Sequence, residues 1–137
     1  MTFADFLEKL PSIEGWCSQK KAEFLYAILL ELKEPVVGVE IGVFAGRSLL
    51  AAAFDCRDRN DNSFVIGLDP YKKQESIAHL TDPPHLAWWT SCNHENFYQQ
   101  CLKHIRDFEM TVWCGVLRSP AQQCWQLFGK LNYLHVD

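Results

Sequence analysis

Pro35-Val36-Val37-Gly38-Val39-Glu40-Ile41-Gly42-Val43-Phe44-Ala45-Gly46-Arg47-Ser48 carries the clearest fold signal in the chain. Val36 to Ile41 is a short β-branched run bounded by Pro35 and Gly42, the pattern of a strand buried on both faces. Gly42 and Gly46 then mark a tight turn, and Arg47 to Cys56, with Leu49, Leu50, the three alanines Ala51 to Ala53 and Phe54, reads as a helix. A strand that passes through a glycine turn straight into a helix is the opening of a parallel α/β unit.

The pattern repeats on the C-terminal side. A polar loop, Arg57 to Ser63, leads to a second strand at Phe64 to Asp69, closed by Pro70. Tyr71 to Asn93 has no clear period and reads as a long excursion with one short helix. His94 to Phe108 is helical, with Phe97, Cys101, Leu102 and Ile105 on one face. A third strand is expected at Met110 to Cys114, a crossover helix at Pro120 to Gly129, and a fourth strand at Leu131 to Asp137. On the N-terminal side two helices precede the first strand. One carries Phe3, Phe6, Leu7 and Leu10 and stops at Pro11; the other runs from about Ser18 to Lys33 and ends before Pro35. Alternating strands and helices predict an α/β fold, a Rossmann-like doubly wound parallel sheet of about four strands preceded by two helices. Residues 1–34 form the helical lead-in and 35–137 the ligand-binding part.

Composition narrows the class. With 137 residues the default is one core, and 48% apolar against 22% charged residues is ordinary globular usage. A formal charge of -4 argues against a nucleic-acid surface built on bulk positive charge. No apolar run approaches the ~18 residues of a membrane span, and no signal peptide is evident, so a cytoplasmic location is expected. The six cysteines are scattered and read as reduced thiols. Cys92 and His94 followed by Cys101 and His104 lack a metal knuckle, and a zinc site is not expected there.

In an open parallel sheet the ligand sits beyond the carboxyl ends of the strands. Glu40, Gly42 and Gly46 stand there after the first strand, with Ser48 in the first turn of the helix. The spacing is not Gly-x-Gly-x-x-Gly, and no Walker Gly-Lys-Ser/Thr occurs. A carboxylate at Glu40 would repel a pyrophosphate and suits a ligand carrying an ammonium group. Asp69, 23 residues past Gly46, ends the second strand and can accept ribose hydroxyls. Together they point to an adenosyl amino acid.

These residues, with Glu14-Gly15-Trp16 before them and Leu134-His135-Val136-Asp137 after, resemble class I S-adenosylmethionine-dependent methyltransferases, and within them the small-molecule O-methyltransferase group. The resemblance implies that Glu40, Gly42, Phe44, Ala45 and Gly46 contact the methionine part of the cofactor, with Arg47 and Ser48 beside it. It implies that Asp69 binds the ribose, that Pro70 and Tyr71 lie near the adenine edge, and that the segment around Ser119 closes over the adenine. Asp137 matches an acidic residue that holds a divalent ion, Mg²⁺, in relatives that use one. His135 is read as a structural histidine, and Trp88, Trp89 and His85 as packing.

The family continues past this aspartate with a further helix and strands, so the chain is expected to be a fragment that holds cofactor without catalysing. A small-molecule acceptor is the expected partner, with self-association through the exposed fourth strand. Two other readings stay open: a nicotinamide-dependent oxidoreductase half-domain, and a non-catalytic truncated relative that acts by association.

Overall fold

A computed structural model describes all of residues 1–137. Four parallel strands form one sheet: β1 (Val37–Ile41), β2 (Phe64–Leu68), β3 (Cys114–Leu117) and β4 (Tyr133–Val136), in the order β3-β2-β1-β4. Each crossover carries helix. α3 (Arg47–Asp58) links β1 to β2. α4 (Lys73–Ile77), α5 (Pro83–Ser91) and α6 (His94–Asp107) link β2 to β3. The short α7 (Ala121–Cys124), continued by a 3₁₀ turn, links β3 to β4. Ahead of the sheet lie α1 (Phe3–Lys9) and α2 (Gln19–Leu30). The strand order reverses between β1 and β4, so the ligand crevice of such a sheet falls outside their carboxyl ends.

Local chemistry sets the helix starts. Thr2 and Asp5 form a reciprocal capping box on α1, Ser18 caps α2, Asp82 caps α5 and Asn93 caps α6. Strand alternation divides the core. Val65 and the even-numbered residues Val36 and Glu40 face the large core formed by α1, α2, α3 and α6. Val39 and Leu68 face the other side, where Cys124, Phe128 and Leu131 cover them. α3 is the central pillar: every residue from Ser48 to Cys56 is buried. The lead-in helices share this core, with Phe6 stacked on Phe54 at 5.0 Å and Phe3 on Tyr26 at 3.9 Å.

Two elements differ from the sequence reading. The third strand begins at Cys114 instead of ending there. Met110 to Trp113 close a turn after α6, with Met110 N–H bonded to Ile105 and the N–H groups of Trp113 and Cys114 bonded to Met110. The apolar run continues past that turn, and Cys114 to Leu117 pair with Val65 to Leu68. The excursion holds two helices, α4 and α5, where one was expected; Asp82 with Pro83 starts the second. No helix is long and apolar enough to cross a membrane.

Candidate functional site

The glycine turn lies at the predicted crevice, and the backbone explains its glycines. Gly42 adopts φ +82°, and a Cβ there would meet the carbonyl oxygen of Asp137 at 2.8 Å. Gly46 caps α3 at φ +95°. Between them Phe44 also takes a left-handed conformation, at φ 52°. Having no side chain, Gly46 leaves the first-turn N–H groups of α3 without a side-chain partner, a ready site for a carboxylate.

The turn is held from behind by three later side chains, two from the loop after β2 and one from α6. Asp69 Oδ2 accepts the N–H groups of Val43 (3.0 Å) and Phe44 (3.1 Å), while Oδ1 accepts the N–H of Tyr71 (2.8 Å). The buried Tyr71 phenol donates to the Phe44 carbonyl at 2.8 Å. His104 Nδ1 lies 2.9 Å from the Ala45 carbonyl and donates to it. The loop is therefore fixed before any ligand arrives.

In front of the turn is a cleft of about 230 Å³, lined by Val43 to Ser48, by Glu14 to Cys17 and by Asp137. Trp16 forms its outer rim, 68% exposed, and packs on Phe44 (5.1 Å between ring centres) and on Trp88 of α5 (5.2 Å). Cys17 lines the wall as a buried thiol, its pKa pushed up to about 11 by desolvation.

Of the residues expected to touch ligand, the cleft gathers Phe44, Ala45, Gly46, Arg47 and Ser48. The others stand elsewhere. Glu40 is fully buried beneath the turn. Its Oε1 accepts the Ser48 hydroxyl at 2.9 Å, and its Oε2 lies 2.9 Å from His135 Nδ1, which donates to it. Burial pushes the Glu40 carboxyl above its usual range, and His135 and Ser48 pull it back. Register explains the pair: Glu40 aligns with His135 across β1 and β4, so both point to one face. Tyr71 sits behind the turn, and Pro70 follows Asp69 at the end of β2. Ser119 follows β3, its N–H bonded to Leu117.

The divalent-ion expectation at Asp137 finds no donor set. The Asp137 carboxylate is paired with the ammonium of Lys21, and the chain contains no group of three His, Cys, Asp or Glu able to hold a metal. An ammonium already there opposes a second cation. Cys92, His94, Cys101 and His104 are likewise spent on separate contacts, with Trp88, Trp89, Gly46 and Ala45 respectively. Sequence reasoning missed Lys21, Tyr71 as a loop anchor, and His104. Only the Glu40–His135 pair had a readable signal, since both fall on the inward phase of parallel strands.

Compared by sequence, the chain matches no family model and no curated protein. Compared by structure, it superposes on the S-adenosylhomocysteine-bound methyltransferase PaMTH1 of Podospora anserina, with a TM-score of 0.62 at 14% identity over 98% of this chain. The fold is that of class I methyltransferases. Cofactor-bound Rv0187 from MTB matches equally, with a TM-score of 0.62 at 14% identity over 98% of this chain. The chain spans about half the length of these structures, 48% of the first and 51% of the second. Against that methyltransferase fold, the Gly42–Gly46 turn is the element at the switch point of the sheet.

Proposed function

We propose that this chain is the cofactor-binding part of an S-adenosylmethionine-dependent methyltransferase that methylates a hydroxyl of a small molecule. One observation carries the reading: a preorganised glycine turn, left-handed at Gly42, Phe44 and Gly46, stands at the β1/β4 switch point of a methyltransferase fold. The site also fits the chemistry of the group. The open first turn of α3 suits the carboxylate of the methionine moiety. Glu40 places a buried carboxyl group, bonded to Ser48 and His135, beneath the same turn, which suits a ligand with an ammonium and a sulfonium better than a pyrophosphate. Asp69 keeps a lone pair on Oδ1, because that oxygen accepts a single N–H, so it can take one ribose hydroxyl while Oδ2 holds the loop.

When bound, the cofactor supplies a methyl group on a positively charged sulfur. The chain's own residues bind and orient it: Asp69, Tyr71 and His104 fix the turn, and Trp16 with Phe44 form an aromatic rim beside the cleft. Titration calorimetry with S-adenosylhomocysteine beside NADH tests the reading. Heat with S-adenosylhomocysteine alone supports it; heat with NADH alone, or with neither, overturns it.

A further inference from the structure

Arg47 was expected beside the cofactor, yet its guanidinium turns away from the turn and onto the segment that forms the opposite wall of the cleft. Its Nε donates to the Ile13 carbonyl (2.5 Å), one terminal nitrogen to Cys17 (3.2 Å) and the other to Pro11 (3.4 Å). No backbone N–H outside the regular elements reaches any of these three carbonyls. Residues 13–17 belong to no helix or strand, and their one backbone bond runs from Ile13 N–H to Leu10. Gly15, at φ +139°, rests on the aliphatic stem of Arg47, with Cδ 3.4 Å from where a Cβ would stand. One side chain from the first turn of α3 thus carries the strap that presents Glu14, Gly15, Trp16 and Cys17 to the cleft.

The geometry points to Arg47 as a positioning residue: it fixes the Pro11–Cys17 strap against the glycine turn, so that the two walls of the cleft are set by a single guanidinium. The residue type is demanding. Three carbonyls at different places around one point need a planar group with several fixed N–H donors, which arginine has and the compact lysine ammonium lacks. Without it the strap would be ordered only on ligand binding, and affinity would fall by that ordering cost. This inference rests on the cofactor-site reading for its effect on binding, and on geometry alone for its effect on the strap.

The test therefore reads both. A glutamate-specific protease cutting after the exposed Glu14 reports strap mobility with no ligand present. Arg47→Ala should be cut at least about tenfold faster than the wild type, Arg47→Lys by an intermediate factor, and millimolar guanidinium should slow the cutting of Arg47→Ala. Affinity for S-adenosylhomocysteine should fall about tenfold in Arg47→Ala and less in Arg47→Lys, for an ordering cost of a few immobilised side chains. Equal cleavage of wild type and Arg47→Lys, or no response of Arg47→Ala to guanidinium, overturns the clamp. Should Arg47→Ala fail to fold, Arg47→Lys carries the comparison. If the wild type does not bind S-adenosylhomocysteine, the cofactor reading fails and the cleavage ranking still decides the clamp.

Discussion

Asp55 stands in the middle of α3 with no exposed surface, and neither carboxylate oxygen has a hydrogen-bond partner. Arg59, one turn further on, is the nearest candidate, but it donates to the carbonyls of Leu29, Leu32 and Glu34 and pairs with Asp61. Burial pushes the Asp55 carboxyl from 3.8 up to about 6; Arg59 opposes this, and Asp58 and Asp61 add to it. Such a displacement corresponds to about 3 kcal/mol of disfavoured anion. The folded state therefore binds the proton more tightly than the unfolded state. Below about pH 4 both states are protonated and no penalty exists; between about 4 and 6 stability falls as pH rises; above about 6 the full penalty is present. Asp55→Asn keeps the shape and cannot ionise. Urea unfolding of both proteins at pH 4 and pH 7.5 isolates the effect, because constant packing and hydrogen-bond differences cancel between the two conditions. The stability of Asp55→Asn relative to wild type should rise by about 2.4 kcal/mol from the lower to the higher pH, since a small part of the penalty is already present at pH 4. A difference that is flat in pH, or that favours the wild type more at pH 7.5, would rule out a penalty from a buried Asp55 anion.

Other consequences concern the site and the thiols. Gly42→Ala puts a Cβ 2.8 Å from the Asp137 carbonyl at φ +82°; urea unfolding should show a loss of about 2 kcal/mol, and calorimetry a weaker S-adenosylhomocysteine complex. His135→Ala strands the fully buried Glu40, and denaturant curves should record a loss of about 3 kcal/mol. Adding Glu40→Gln to that variant should return part of it, since the stranded charge is removed; a double variant less stable than the single one contradicts the pairing. Five of the six thiols are buried, and desolvation pushes Cys17 up to about 11 and Cys56 and Cys101 up to about 12. At pH 8 a thiol reagent should therefore modify Cys92 first and the other five only after unfolding. Rapid labelling of more than one thiol would argue against the packing described.

The sheet was legible because its signals are local. Val36 to Ile41 and Phe64 to Asp69 are β-branched runs punctuated by proline and glycine, and α3 and α6 carry an apolar stripe that nothing competes with. The third strand shifted because Met110 to Trp113 is as apolar as the strand after it. What separates them is a turn bonded back to α6, which periodicity does not see. The candidate site was legible as far as its glycines, whose backbone angles follow from a turn that L side chains resist. Its support was not. Tyr71, His104 and Lys21 reach the cleft region across 27, 59 and 116 residues, to Phe44, Ala45 and Asp137 respectively. Long-range polar pairings of that kind leave no periodic trace. Arg47 shows the same limit from the other side: its position beside the turn was readable, and the direction of its guanidinium was not.

On the proposed function, the Gly42–Gly46 turn and the strap facing it hold an adenosyl amino acid. Titrating ¹⁵N-labelled chain with S-adenosylhomocysteine and following each backbone amide tests it most directly. The largest shifts should fall at residues 42–48 and 14–17, with smaller ones at Asp69 and Ser119 and little change in α1. Shifts confined to other surfaces, or none at millimolar ligand, would contradict it.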